Sequence, residues 1–280
     1  MNIIKNQSFD AERSLYNLKD TLVEECHFGG PADGESAFKE ARNITLKNCD
    51  FSMRYPLWHC HNYKLEDVKM DELTRAAVWY SYNGTYKNCE LNGIKALREC
   101  EGASFENCSV VSPEFGWRSK DIVIKDCRMQ SEYYLFESRN IKIDNLKMKG
   151  KYSFQYVENM TIENSDLDTK DAFWHGKNIT VKNSTIKGEY LAWFSDNLTL
   201  INCHISGTQP LCYCTNLKLI NCTMENADFA FEYSDVEADI KGNIISVKNP
   251  KSGLIVADSV GEIIWEDPVM EVTGRVEIRK

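Results

Sequence analysis

Three consecutive stretches decide the fold: NITVKNSTI at residues 178–186, NLTLINCHI at 197–205 and NLKLINCTM at 216–224. Their starts are separated by a constant interval of nineteen positions, and rows at this interval run without a slip from Asn83 to a degraded start at Asp235. Such self-similarity at a fixed period is the signature of a repeat architecture. Each row therefore represents one structural unit stacked on the next.

Two intervals in the repeat are longer than this period. The row at Asn62 precedes that at Asn83 by twenty-one positions, and a weaker row at Asp20 precedes that at Asn43 by twenty-three. We interpret both as small loop insertions, the one after Asp20 falling around GGPADGES at residues 29–36.

Each row alternates apolar and polar residues, with apolar side chains at positions 2 and 4, which is typical of a strand with one buried face. Position 6 is Asn or Asp from Asn48 to Asn221, and stacked amides at a bend suit the corner of a solenoid. Nineteen residues accommodate three short strands and three bends. The spacing does not fit leucine-rich repeats. The sequence predicts an all-β fold, a right-handed single-stranded parallel β-helix (β-solenoid) of about eleven coils.

Both ends of such a solenoid need covering, because they expose strand edges and core. We expect an N-terminal cap at residues 1–19 with a short helix at 10–16, β-helix coils at 20–235 and C-terminal capping strands at 236–280, forming one domain overall.

Composition excludes several classes of function. A formal net charge of -9 and a pI near 5.2 argue against binding to nucleic acid. The first residues lack the pattern of a signal peptide, and no stretch is apolar enough to span a membrane. We therefore expect a cytoplasmic protein without nucleic-acid or membrane partners.

The eleven cysteines are predicted to be free, buried thiols. Seven of them share position 7 of their rows, where Ser165 and Ser184 stand in other rows. The motifs His59-Cys60-His61 and Cys212-Tyr213-Cys214 lie eight coils apart, and successive residues of a strand point to different sides. We expect no metal site and no cofactor.

Just before each row, two neighbouring positions of the repeat carry unusual residues. We call the set of residues at one such position in all repeats a column. The tryptophan column runs from Lys39 to Phe231. The rim column consists of the residue directly after each of its members, from Glu40 to Glu232. The column before them is apolar and is expected to face inward. The tryptophan column then faces outward, and a bend leaves the rim column exposed as well. Aromatic and His residues of the two columns form the candidate ligand-binding set: Trp58, His59, Trp79, Tyr80, Trp117, Tyr156, Trp174, His175 and Trp193.

Three interpretations of these columns remain open. Indole and phenol rings beside charged groups suit a saccharide ligand, which the protein binds or processes. An inward tryptophan column would instead be a core stack, and an outward one could be an interface for a partner protein or a homo-oligomer. The alternative function is accordingly a non-catalytic scaffold.

One group of rim residues could carry chemistry. Glu99, Arg118 and Glu137 lie on successive coils, so the two carboxylates could act as acid and base on a glycosidic substrate, with Arg118 stabilising charge. A simple structural ladder of alternating charges explains the same pattern. Whether the protein is an enzyme is left open.

Several motifs also resemble an uncharacterised bacterial family in the pectin-lyase-like β-helix group: GGPADGESAFKEARN at residues 29–43, RYPLWH at 54–59, IKALREC at 94–100 and TKDAFWH at 169–175. The resemblance covers nearly the whole chain. It implies the fold but no activity, because the family has none to transfer. Unlike well-studied relatives in the wider group, which are commonly secreted lyases, galacturonases and esterases, this chain shows no paired Asp cluster and no calcium-binding acidic trio.

Overall fold

The structure, a computed structural model, describes residues 2–280, and the chain divides into two compact units, residues 1–142 and 143–280. The strands of the first unit are β1 (Asn2–Lys5), β2 (Ser8–Phe9), β3 (Thr21–Glu24), β4 (His27–Phe28), β5 (Arg42–Lys47), β6 (Asp50–Phe51), β7 (Leu57–Trp58), β8 (His61–Glu66), β9 (Lys69–Met70), β10 (Val78–Trp79), β11 (Tyr82–Lys87), β12 (Glu90–Asn92), β13 (Leu97–Arg98), β14 (Glu101–Glu106), β15 (Ser109–Val111) and β16 (Lys120–Glu132). β17 (Arg139–Lys151) crosses the boundary between the units. The second unit continues with β18 (Glu158–Glu163), β19 (Asp166–Lys170), β20 (Lys177–Lys182), β21 (Thr185–Lys187), β22 (Asp196–Ile201), β23 (His204–Ser206), β24 (Leu217–Glu225), β25 (Asp235–Lys248), β26 (Ser252–Ile264) and β27 (Arg275–Ile278).

In the first unit, each strand pairs in parallel with its equivalents on the neighbouring turns. β11 lies between β8 and β14, which places Tyr86 opposite Leu65 on one side and Phe105 on the other. All three side chains are buried. The inward faces of successive turns therefore stack directly on one another.

The second unit repeats this arrangement. β20 lies between β18 and β22, with Val181 opposite Ile162 and Leu200, and all three are fully buried. Along β20 the burial alternates, Ile179 and Val181 facing inward while Thr180 and Lys182 are partly exposed. The predicted half-buried strand is confirmed.

The fold class is confirmed as an all-β, right-handed parallel β-helix, but the number of turns is higher than the predicted eleven. Fifteen strands of the described residues begin a turn: β1, β3, β5, β8, β11, β14, β16, β17, β18, β20, β22, β24, β25, β26 and β27.

The additional turns lie at the two ends of the chain. β1 pairs in parallel with β3, with Asn2 opposite Thr21, and β25 pairs in parallel with β26, with Asp235 opposite Ser252. The last turns depart in length from the regular repeat, and register shifts interrupt their pairing. The repeat pattern of the sequence could not reveal them for this reason. That the terminal segments act as caps, with boundaries at residues 19 and 236, stays a prediction.

The predicted helix at residues 10–16 is wrong. These residues form turns whose N–H groups donate to the following coil: Arg13 to the Glu35 carbonyl and Leu15 to the Ala37 carbonyl, both at 2.9 Å. The neighbouring turn thus takes the donors that an α-helix would use internally. None of residues 2–280 forms a helix, so none forms an apolar helix that could cross a membrane.

Asparagine side chains stack at two corners, as expected for position 6 and also at position 1. At position 6, the Asn202 amide donates to Asn183 at 3.0 Å. At position 1, the Asn197 amide donates to Asn178 at 2.9 Å and accepts from Asn216 at 3.0 Å. Asn197 has φ 57°, a left-handed conformation that Asn tolerates better than most residues. Each such Asn therefore contributes both its backbone conformation and two hydrogen bonds.

Replacing Asn197 by Ala is expected to lower the free energy of unfolding by about 2 kcal/mol, because both amide hydrogen bonds and the left-handed preference are lost. Urea denaturation followed by circular dichroism measures the change. The matched control Lys218→Ala removes an exposed side chain of the same unit and should stay within about 0.5 kcal/mol of the parent. Equal effects of the two substitutions would show that the ladder contributes nothing to stability.

Candidate binding surface

The rim column is held at a bend in the backbone. From Glu40 to Tyr213 its members have φ between 49° at Tyr80 and 65° at Glu40. This left-handed conformation turns the chain after the tryptophan column, so the two neighbouring side chains both face away from the core. The predicted bend is confirmed.

The apolar column that precedes them faces inward, as expected. Phe38, Leu57, Leu135, Phe154 and Phe173 are all fully buried. The tryptophans are half-buried and lie at the outer side of this layer. The interpretation of the tryptophan column as a core stack is therefore wrong.

In the first unit the tryptophan column is a continuous stack of rings and cations. Trp58 and Trp79 have centroids 5.7 Å apart with 17° between their planes. Lys39 lies 4.7 Å from the Trp58 centroid, and the Arg98 guanidinium lies 5.4 Å from Trp79 and 5.3 Å from Trp117. These cation–π contacts cover ring faces and leave mainly ring edges to solvent.

The second unit presents the most regular aromatic surface, which we name the rim ladder: Tyr156, His175, Phe194 and Tyr213. Successive ring centroids lie 4.8, 5.0 and 4.8 Å apart with interplanar angles of 9°, 6° and 13°. Tyr156 is 49% and Phe194 44% exposed. The rim ladder therefore offers solvent a row of ring edges, including the phenol hydroxyls and the imidazole.

Beside the rim ladder, Trp174 and Trp193 stack with centroids 5.4 Å apart and 4° between their planes. In the first unit, His59 and Tyr80 make an edge contact at 5.5 Å, and His59 bonds to Glu40 at 3.0 Å. The predicted ligand-binding residues thus form two sets, one within each unit. Their role in binding stays a prediction.

Sequence reasoning missed that four side chains of the tryptophan column form hydrogen bonds with the backbone of the next turn. Each of them donates a hydrogen bond to the carbonyl 16 residues further on: Trp117 to Tyr133 (2.7 Å), Gln155 to Asp171 (3.1 Å), Trp174 to Tyr190 (2.6 Å) and Trp193 to Gln209 (2.8 Å). The signal in the sequence was that the Trp and Gln residues of this column all carry a side-chain N–H group that can donate a hydrogen bond. Trp58 and Trp79 differ, because their indole nitrogens are buried without a hydrogen-bond partner.

The rim charges pair differently from the predicted Glu99–Arg118–Glu137 ladder. Arg118 Nε lies 2.8 Å from Glu137 Oε2, whereas Glu99 Oε1 pairs with Arg98 Nε at 3.3 Å. The hydrogen bond from Arg118 to Glu137 raises the pKa of the guanidinium. The Arg118 and Glu137 side chains are 53% and 42% exposed, as in a surface ion pair. Acid–base catalysis by the two glutamates stays a prediction and does not enter the function proposed below.

In the last aromatic turn the columns are displaced by one residue from the sequence alignment. Phe231 is fully buried and belongs to the inward column. The Tyr213 N–H donates to the Glu232 carbonyl, and the Tyr213 ring lies 5.7 Å from Tyr233. Glu232 therefore occupies the tryptophan column and Tyr233 the rim column. One extra residue in this turn causes the displacement.

All eleven cysteines are free and buried, as predicted. Most thiols donate to backbone carbonyls, for example Cys100 to the Arg98 carbonyl at 3.2 Å. Burial raises the pKa of Cys100 to about 12 and that of Cys214 to about 11. The Cys100 and Cys214 thiols are therefore neutral packing groups rather than nucleophiles.

Asp171 is a buried carboxyl group at the bend that precedes Trp174. Burial raises its pKa, an effect that the charge of Lys170 opposes. The residue is 5% exposed and has φ 53°. Protonation of Asp171 is therefore more favourable in the folded state than in an exposed aspartate.

These features define a right-handed parallel β-helix protein with an aromatic outer surface. The chain belongs to the DUF3737 family, described as proteins of unknown function, whose sequence profile matches residues 2–278. A comparison with curated proteins gave no match.

Among solved structures, a tailspike protein mutant of E. coli bacteriophage HK620 in complex with a hexasaccharide is similar, with a TM-score of 0.52 and 8% identity over 93% of this chain and 70% of that chain. A surface adhesin of Streptococcus pneumoniae matches with a TM-score of 0.43 and 10% identity over 79% and 72%. A mannuronan C-5 epimerase module of Azotobacter vinelandii matches with a TM-score of 0.27 and 10% identity over 85% and 79%. At so low an identity, the tailspike similarity shows the fold alone.

Trp117→Phe is expected to lower the free energy of unfolding by about 1 kcal/mol more than Trp79→Phe. Both rings stack on Arg98, but only the Trp117 indole donates a hydrogen bond that phenylalanine cannot replace. Urea denaturation of the two variants measures the difference. If the two losses are equal, the indole hydrogen bond does not stabilise the turn.

Asp171→Asn is expected to stabilise the protein at about pH 7. The folded-state pKa is raised, so the stability contributed by the acid form is complete below the unfolded pKa of about 3.9 and is lost as the pH rises through the folded pKa. The advantage of Asn should therefore shrink when unfolding is measured at about pH 3. Asp168→Asn, at an exposed position on the preceding strand, is the control. An advantage that does not change with pH would contradict this account.

Proposed function

We propose that the protein binds an extended oligosaccharide along the rim ladder without catalysing a reaction. The observation that carries the proposal is the regular stacking of four aromatic rings at centroid spacings of 4.8 to 5.0 Å, with Tyr156 and Phe194 exposed and His175 and Tyr213 partly exposed. This spacing is close to the length of one pyranose residue in an extended chain. Successive sugar residues could therefore meet successive rungs in the same way.

The chemistry of the contact follows from the stacking. The ring faces within the ladder cover one another, so a sugar meets the edges, where aromatic C–H groups carry partial positive charge. Sugar hydroxyl oxygens complement these edges. The hydroxyls of Tyr156 and Tyr213 and the imidazole of His175 can exchange hydrogen bonds with them.

The proposal is tested with a glycan array, followed by calorimetry with linear oligosaccharides of the responding class. Affinity should rise with chain length until the ligand spans the four rungs. Phe194→Ala should weaken binding about tenfold by removing a central exposed rung. Ile220→Ala, which removes an exposed apolar side chain of β24, should leave affinity unchanged.

Three results would reject the proposal: no response from any sugar class, no dependence on chain length, or equal affinities for the parent and Phe194→Ala. The variant is informative because Phe194 is 44% exposed and its loss leaves the inward column intact.

A protein interface is the second candidate, favoured by the exposure of Phe194 and Tyr156 on one ladder. Light scattering distinguishes it from the first. An oligomer that Phe194→Arg converts to a monomer would favour the interface, and a monomer at all concentrations would exclude self-association through this surface.

A further inference from the structure

A separate cavity of about 310 Å³ lies in the first unit. We name it the corner cavity. Its lining includes charges of both signs and consists of Asp33, Ser52, Met53, Arg54, Glu72, Leu73 and Arg75.

The corner cavity is built from the residues by which two turns depart from the repeat. The Tyr55 N–H donates to the Arg75 carbonyl, and the Ser36 N–H donates to the Arg54 carbonyl, so Glu35, Arg54 and Arg75 are equivalent positions on three turns. Counted back from these positions, Glu72 and Leu73 are the two extra residues of the longer interval before Asn83. Asp33 belongs to the insertion before Asn43. Insertions confined to one corner of a repeat commonly form its binding face.

Hydrogen bonds hold the inserted loop in place. The Asp71 carboxylate accepts from the Leu73 N–H at 2.9 Å and from the Ser52 hydroxyl, while the Thr74 hydroxyl donates to the Phe51 carbonyl at 2.8 Å. Leu73 nevertheless remains 61% exposed. The backbone is thus fixed before any ligand arrives, which reduces the entropic cost of binding.

The charges of the corner cavity are only partly neutralised. Arg54 donates to the Asp33 carboxylate at 3.2 Å, but its Nε atom is buried without a hydrogen-bond partner and lies 3.6 Å from Glu35. Within residues 2–280, the side chains of Glu72 and Arg75 make no ion pair or hydrogen bond. Arg54 and Arg75 also occupy equivalent positions on neighbouring turns, where like charges repel. Two carboxylates already compensate Arg54, so the charge that an anionic group of a ligand would compensate is that of Arg75.

The lining as a whole carries two positive and two negative charges. A purely anionic ligand would be repelled by Asp33 and Glu72, and an uncharged ligand would desolvate all four groups without compensation. A ligand with one charge of each sign matches both halves. Leu73 and Met53 add an apolar surface, and 310 Å³ is at the small end of ligand cavities.

We propose that the corner cavity binds a free α-amino acid with an apolar side chain. The carboxylate of the ligand pairs with Arg75, the ammonium group faces Glu72, and the side chain packs on Leu73. This site is independent of the proposed saccharide surface.

The test is calorimetric titration of the full chain with the twenty amino acids, using L-leucine as the reference ligand. Leucinamide lacks the carboxylate, 4-methylpentanoate lacks the ammonium group and glycine lacks the apolar side chain. Each should bind at least about tenfold more weakly than leucine. Arg75→Gln and Glu72→Gln should each weaken leucine binding by a similar factor, and Arg128→Gln, at an exposed position of β16, should not.

Arg75→Gln and Glu72→Gln should leave the thermal midpoint unchanged, because neither side chain has a partner to lose, so weaker binding cannot be ascribed to unfolding. The proposal is overturned if no amino acid binds at low millimolar concentration. It is also overturned if 4-methylpentanoate binds as well as leucine, which would indicate a simple anion site, or if both variants bind leucine like the parent. Saccharide titrations of Arg75→Gln should match the parent, which keeps this result separate from that for the rim ladder.

Discussion

Parallel hydrogen bonding between successive turns is the constraint on which the other features depend. A strand such as β20 bonds to β18 on one side and β22 on the other, residue for residue. Whatever side chain a turn places at a given position must therefore tolerate its equivalents one rung away, at about 4.8 Å. Identical or complementary side chains meet this requirement, which explains the stacked asparagines, the stacked aromatic rings and the arginine between two indoles.

The same constraint determines what the aromatic surface can offer a ligand. Trp58, Trp79 and Trp117 share their faces with one another or with cations, and the rings of the rim ladder share theirs. The flat ring faces that could stack on a sugar or a base are thus mostly covered by neighbouring side chains. What remains is a row of edges with a fixed repeat, which favours long ligands that themselves repeat.

Sequence predicted most of what this constraint dictates. The alternation around Ile179 and Val181 gave the inward face, and the charged or polar residues next to the tryptophans indicated a bend, since no straight strand could expose both columns. Sequence failed where a side chain had a choice of partner. Glu99 has Arg98 beside it in the sequence and Arg118 at the equivalent position of the next turn, and the structure pairs it with Arg98. It failed also where local propensity competed with pairing, as at Arg13, whose N–H joins the next turn instead of a helix. One extra residue before Phe231 displaced the members of both columns in that turn.

The corner at which Glu72 and Leu73 are added shows how this architecture acquires new chemistry. After the extra residues, Val78 and Trp79 return to register with Leu57 and Trp58 on the turn before and with Leu97 and Arg98 on the turn after. The disturbance is confined to a single rung. A β-helix can therefore be modified at one corner without changing the register of the neighbouring turns. A loop transplanted to this corner would be supported by a rigid base that the adjoining turns already provide.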